Sequence, residues 1–187
     1  VYKRQRPPAR RSRRRPLAEH RMSAAPRTLV LMRHGKSGYP PGVADHDRPL
    51  ADRGRREAAL AGEWIRSEDL RVDAVLCSTA TRTRETLERT GISAPTTFLD
   101  EIYGGSPVDI LEVVRVYAPA DASTVLVVGH EPGMPETALT LDPDGYIERF
   151  PTSAYAVVAV TLDWDRLGLD ADPDAELLGV RIPRAEA

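Results

Sequence analysis

Two histidines, each standing at the end of an apolar run, carry the chemistry this chain can do. Leu29-Val30-Leu31-Met32 leads straight into Arg33-His34-Gly35-Lys36-Ser37, and Val125-Leu126-Val127-Val128 leads into Gly129-His130-Glu131-Pro132-Gly133. A third apolar run, residues 72–77, gives way to Ser78-Thr79 and then to Arg82. A histidine with a free ring nitrogen is a good nucleophile near neutral pH, because its ordinary pKa is about 6.5. Arg33 can hold two oxygens of a phosphoryl group through its planar fork. Gly35, with no side chain, is expected to let the backbone approach that group closely. The plain alternative for either histidine taken alone is an ordinary strand-end residue. A second histidine and a second arginine in matching positions weigh against that plain reading.

The elements that must position these residues follow from the apolar pattern. Residues 29–32, 72–77 and 123–128 read as buried strands, with a short strand at 97–99, a last one at 154–162 and an edge strand at 177–182. Helices are expected from Asp52 to about residue 65, from the Arg82 region onward, along the stripe Ile110, Leu111, Val113, Val114 and Tyr117, and over 135–141. Asp52 is read as the cap of the first helix. There Leu60/Trp64 and Ala61/Ile65 are spaced i,i+4 and lie on one face. Strands alternating with helices imply an α/β fold, a mostly parallel sheet covered on both faces. In such sheets ligands bind outside the carboxyl ends of the strands, where both histidines fall.

The chain has 187 residues, enough for one domain with a sizeable core. That domain is expected to span residues 27–187, with a weakly patterned acidic tail from Asp163. Its single cysteine, Cys77, permits no intrachain disulfide, reads as a small buried apolar residue, and suits a cytoplasmic protein. No apolar run approaches the ~20 residues that span a bilayer, and the basic N-terminus is not followed by an apolar segment, so no signal peptide is expected. Residues 1–21 hold nine Lys/Arg against one Glu, and so carry +8 in a chain of net charge −2, leaving −10 for the rest. Such an arm could bind nucleic acid. We expect instead that residues 1–26 are a disordered Pro- and Arg-rich segment and that the natural protein starts at Met22. Val1-Tyr2-Lys3-Arg4-Gln5 is what a common sequencing-library adapter encodes.

The blocks Arg33-His34-Gly35, Ser78-x-x-x-Arg82 and Gly129-His130, in that order and each at a strand end, resemble the histidine phosphatase superfamily, also called phosphoglycerate-mutase-like. The likeness runs from about Arg27 to Val160. Lys36-Ser37, Asp45-His46-Asp47-Arg48-Pro49-Leu50, Arg53-Gly54, the Gly129-His130-x-Pro132-Gly133 run and Phe150-Pro151-Thr152-Ser153-Ala154 resemble its short SixA-type phosphohistidine phosphatases. Glu131 stands where that family more often has Asn.

The resemblance implies a phosphoglycerate-mutase-like single domain and a metal-independent phosphatase without cofactors. It implies that His34 attacks phosphorus, while Arg33, Arg82 and His130 neutralise the transferring oxygens and Glu101 supplies the leaving-group proton, with Asp45 as second candidate. Gly35, Lys36, Arg48 and Gly129 are expected at the phosphate or substrate. An ion pair with Asp45 or Asp47 is the plain alternative for Arg48, and a solvated carboxylate the plain alternative for Glu101. A phosphorylated protein or small molecule is the expected partner, with neither nucleic acid nor membrane. The alternatives are a phosphatase of small phosphorylated metabolites, a phosphate-binding regulatory protein with little turnover, and a zinc enzyme using His34, His46 and His130. Arg33 and Arg82 argue against the last of these.

Overall fold

The structure, a computed structural model, describes residues 25–184. The expectations about the basic arm, its disorder and its start at Met22 lie outside those residues but for its last two positions. The order of elements is β1 (Arg27–Arg33), α1 (Asp52–Ser67), β2 (Ala74–Ser78), α2 (Thr81–Thr90), β3 (Thr96–Leu99), α3 (Pro107–Tyr117), β4 (Thr124–Gly129), α4 (Gly133–Leu141), β5 (Tyr155–Val160) and β6 (Glu176–Arg181). Short 3-10 turns lie at Asp45–Asp47, Asp100–Ile102 and Trp164–Arg166. The six strands form one sheet in the order β3-β2-β4-β1-β5-β6. β3, β2, β4 and β1 run parallel, β5 runs antiparallel to β1, and β6 antiparallel to β5. The fold is therefore a single α/β domain on a mostly parallel sheet, as the alternation of elements predicts.

The strands read as unbroken apolar runs because both faces of the sheet are covered. Leu29, Leu31, Val125 and Val127 join one core with Ile110, Val114, Met134 and Ala138 of α3 and α4. Val30, Met32, Leu126 and Val128 join the other with Ala61, Ile65 and Leu87 of α1 and α2. The tail contributes more than its weak pattern suggests. β6 forms the sheet edge beside β5, and Trp164 is buried with its indole N–H donating to the Ala122 carbonyl at 2.8 Å. Among the described residues no helix is long and apolar enough to cross a membrane.

Helix starts differ from expectation in two places. Asp52 is the first residue of α1 rather than its cap; Ala51 is the cap and offers no side chain. The Ala51 N–H instead donates to the Lys36 carbonyl at 2.8 Å, and the Leu50 N–H to the Glu85 carboxylate at 2.7 Å. Tertiary partners thus hold the residues that lead into α1. α3 begins earlier than its apolar stripe, at a reciprocal cap between Ser106 and Asp109 with Pro107 in its first turn.

Two contacts at the start of α1 fix the loop that follows β1. A Cβ on Gly54 would stand 2.1 Å from the Lys36 carbonyl oxygen, and one on Gly35 would stand 2.9 Å from the Gly54 carbonyl oxygen. Neither neighbour is a flexible side-chain end, so Gly54→Ala must push the 35–37 loop away from α1. The expected outcome is a loss of roughly 2–3 kcal/mol in denaturant unfolding, together with impaired phosphatase activity. A midpoint within error of the parent would show that the loop yields without strain.

Candidate active site

The parallel register of β1 and β4 places Met32 opposite Val128 and Arg33 opposite Gly129. The next residue on each strand is a histidine, and the His34 and His130 rings lie 5.3 Å apart between centroids. Both are buried. The backbone of His34 is held from two sides: its N–H donates to the Gly129 carbonyl at 3.0 Å, and its carbonyl accepts from the Ser153 N–H at 3.0 Å.

The His34 ring is oriented by its own loop. Nδ1 lies 2.7 Å from the Gly35 carbonyl oxygen, which can only accept, so Nδ1 carries the proton. Nε2 is then unprotonated and faces the Arg82 Nε–H at 3.3 Å. Burial pushes the ring's pKa from 6.5 to about 3; the Gly35 hydrogen bond works against this, and the neighbouring His130, Arg82 and Arg33 add to the depression. His34 is therefore neutral, with a free lone pair aimed at a guanidinium. His130 makes a 2.8 Å hydrogen bond between Nε2 and Ser78 Oγ, and its Nδ1 lies 3.5 Å from Arg82 Nη2. Burial, followed by the Arg82 charge, lowers it to about 4, although Asp45 pulls the other way.

Arg82 sits in the first turn of α2 and is itself buried. Besides His34, its Nη1 donates to the Asp45 carbonyl at 2.6 Å and its Nη2 to the Asp45 carboxylate at 3.1 Å. Asp45 also accepts from Arg48 Nε at 3.0 Å and from the Tyr103 hydroxyl at 2.6 Å. The Tyr103 hydrogen bond, then Arg48 and Arg82, hold its carboxyl well below the usual carboxylate range. On the other flank Arg33 Nη1 donates to the Phe150 carbonyl at 2.9 Å and pairs with the Glu131 carboxylate at 2.5 Å.

Of the residues singled out from sequence, Arg33, His34, Arg82 and His130 converge. Arg48 forms an ion pair with Asp45 and in addition donates to Ser37 Oγ at 2.6 Å. Lys36 is exposed. Glu101 does not join the cluster: it is exposed and lines a separate cleft with Asp109, Glu112, Val116 and Tyr117. The cause is the 3-10 turn. At three residues per turn, neighbours point in different directions, and this turn spends its inward position on buried Ile102.

At Gly35 and Gly129 the structure shows close packing. The missing side chain of Gly35 makes room for Gly54, and its N–H donates to Thr86 Oγ at 2.9 Å. Gly129 makes room for Met134 and Ile102, whose atoms a Cβ would meet at 2.9 and 3.0 Å. Sequence reasoning missed Ser78, Tyr103 and Thr86 as partners, and gave too little weight to Glu131. Only Ser78 carried a signal, as the polar residue ending its strand. Cys77 is buried as expected, and burial pushes its thiol up to about 12.

A buried pair of neutral histidines among arginines, at the carboxyl edge of this sheet, defines a phosphatase of the phosphoglycerate-mutase-like class. The profile of the histidine phosphatase superfamily (branch 1) matches residues 29–102. An uncharacterised protein of Mycobacterium tuberculosis is 47% identical over 163 residues, 82% of this chain and 100% of that one. Phosphohistidine phosphatase SixA of Escherichia coli is 30% identical over 143 residues, 72% of this chain and 85% of that one. A solved structure from Nakamurella multipartitia that carries the SixA designation superposes with a TM-score of 0.79 at 45% identity, covering 87% of this chain and 99% of that one. The chain belongs to the histidine phosphatase superfamily, in its SixA-type branch.

The depressed histidines make stability depend on pH. An unfolded histidine takes up its proton near 6.5, the folded rings only near 3 and 4. The unfolded state therefore binds more protons in between. The stability contributed by the neutral rings is fully present above 6.5 and is lost as pH falls through that window. Between pH 7 and pH 5 each ring should account for roughly 2 kcal/mol of lost unfolding free energy, and His34→Gln should flatten the slope. Ring-proton NMR shifts for both histidines should stay constant from pH 8 to pH 5; a midpoint near 6.5 for either would refute their neutral, buried state.

Proposed function

We propose that this phosphatase works through a covalent phosphohistidine on His34, and that its substrate is a phosphohistidine carried by a protein. The single observation that carries the first half is the Nδ1–H bond to the Gly35 carbonyl, which leaves Nε2 as an unprotonated nucleophile beside Arg82. In the first step Nε2 attacks phosphorus and the bond to the leaving group breaks. In the second, water attacks phosphorus, the P–Nε2 bond breaks, and inorganic phosphate departs with His34 again neutral. Arg33, Arg82 and His130 stabilise the charge that spreads over the oxygens in both steps; a bound dianion raises the proton affinity of His130 and makes it a further donor.

The leaving group supports the second half. An alkoxide needs a positioned acid, which contributes about 10²–10⁴-fold. Asp45 is held ionised by Tyr103, Arg48 and Arg82, so it has no proton to give, and Glu101 faces another cleft. A phosphorylated imidazole whose other nitrogen is protonated leaves as a neutral ring, and solvent can supply that proton. The arrangement suits this substrate class better than it suits monoesters of alcohols.

The test is phosphate release across a panel that includes a phosphohistidine protein and several alkyl monoesters. The phosphohistidine protein should be turned over fastest, and preference for an alkyl monoester would move the assignment to small phosphorylated metabolites. His34→Ala should lower turnover by at least about 10³-fold and abolish an acid-labile, base-stable phosphoryl label on acid-quenched enzyme; label found on serine would exclude the covalent route through His34. Glu101→Gln should leave both substrate types unaffected. A selective loss on monoesters would return Glu101 to the role of acid.

A further inference from the structure

Each guanidinium around His34 has a carboxylate partner. Asp45 spans Arg48 and Arg82, and Glu131 holds Arg33. The two carboxylates are held differently. Asp45 is fixed by two arginines and a tyrosine, whereas Glu131 has Arg33 as its one ion-pair partner among the described residues, and its side chain is 43% exposed. It follows directly on His130, so its charge stands at the rim of the site and not in its floor. Arg33 divides its donors accordingly. Nη1 is taken by the Phe150 carbonyl and Glu131, while Nε is buried with no hydrogen-bond partner among the described residues. A phosphoryl oxygen held by the rest of that planar fork stands within about 4–6 Å of the Glu131 carboxylate, the range over which like charges act strongly on one another.

The phosphoryl group itself meets this repulsion in every substrate, and Arg33 and Arg82 offset it. A further negative charge on the leaving group has no such offset on the Glu131 side. An asparagine at this position could accept the same Arg33 hydrogen bond without bringing any charge, so the charge is separable from the hydrogen bond. It acts on whatever the phosphoryl group is attached to.

We propose that Glu131 is a specificity-determining residue: paired with Arg33 at the rim, its carboxylate selects phosphoryl substrates whose leaving group is neutral or cationic and discriminates against those whose leaving group is anionic. This rests on Arg33 holding the phosphoryl group. It narrows the substrate class to a phosphorylated side chain set among neutral or basic residues.

Two matched aryl phosphates test it, 4-carboxyphenyl phosphate and 4-(trimethylammonio)phenyl phosphate, with kcat/KM measured for the parent, Glu131→Gln and Glu131→Lys. Comparing each variant with the parent on the same substrate cancels the difference in leaving-group chemistry. Glu131→Gln should raise the carboxylate substrate about tenfold relative to the ammonium substrate, the scale of a unit charge at this separation near solvent. The gain should fall mainly in KM and shrink with added salt. Glu131→Lys should reverse the preference. Equal changes on both substrates would overturn the proposal and leave Glu131 as a residue that only orients Arg33; no change on either would overturn it as well. Aryl phosphates require only phosphatase action through His34. A failure of discrimination thus leaves the His34 mechanism standing, whereas parent enzyme that forms no phosphohistidine would sink the mechanism itself.

Discussion

The pairing of β1 with β4 brings Arg33 level with Gly129, and from that point the two strands deliver His34 and His130 side by side. A slip of one residue would part the rings and turn every side chain of the strand to the opposite face. The register is secured because both faces are buried, with alternate residues of β1 and β4 committed to separate cores. The ladder also runs beyond the strand ends. Arg33 donates to the Ala154 carbonyl at 2.9 Å, and Ser153 donates back to His34 at 3.0 Å. His34 is therefore anchored to the end of the sheet although it follows the last residue of β1. Such support is what positioning chemistry needs.

Electrostatics at the site are balanced rather than simply positive. Three guanidinium groups face two carboxylates, and both histidines stay neutral because burial and the guanidinium charges disfavour a further cation. Burying Arg82 without a partner would be costly, and Asp45 offsets that cost. The resting carboxylates thus act as internal counter-ions that keep the donors in place before substrate arrives. Preorganised donors of this kind need little rearrangement as charge develops.

Glycines beside the histidines serve packing. Gly35 and Gly54 let α1 touch the loop after β1, and Gly129 lets Met134 of α4 and Ile102 approach the end of β4. α1 and α4 are thereby brought against the ends of β1 and β4, and this backbone proximity positions the two histidines.

What could be read in the sequence was whatever repeats locally. The buried strands announced themselves as apolar runs, the parallel fold as their alternation with helical stripes, and His34, Arg33, Arg82 and His130 as polar residues at strand ends or helix starts. These depend on neighbours a few positions away. The sequence could not say which way Glu101 points, since that turned on Ile102 taking the inward position of a three-residue turn. Nor could it say that the Leu50 and Ala51 N–H groups find acceptors in Glu85 and Lys36, or that Asp45 reaches Tyr103 across 58 positions. The weight of Glu131 was hidden for the same reason: it lies in the turn after β4, its partner Arg33 ends β1, and only the formed sheet brings them together. Local pattern determined the fold and the candidates for the site, the two histidines and the arginines beside them. Tertiary contact decided the charge state of each group, because burial and long-range partners set a proton's affinity and neither is a property of neighbouring residues in the chain.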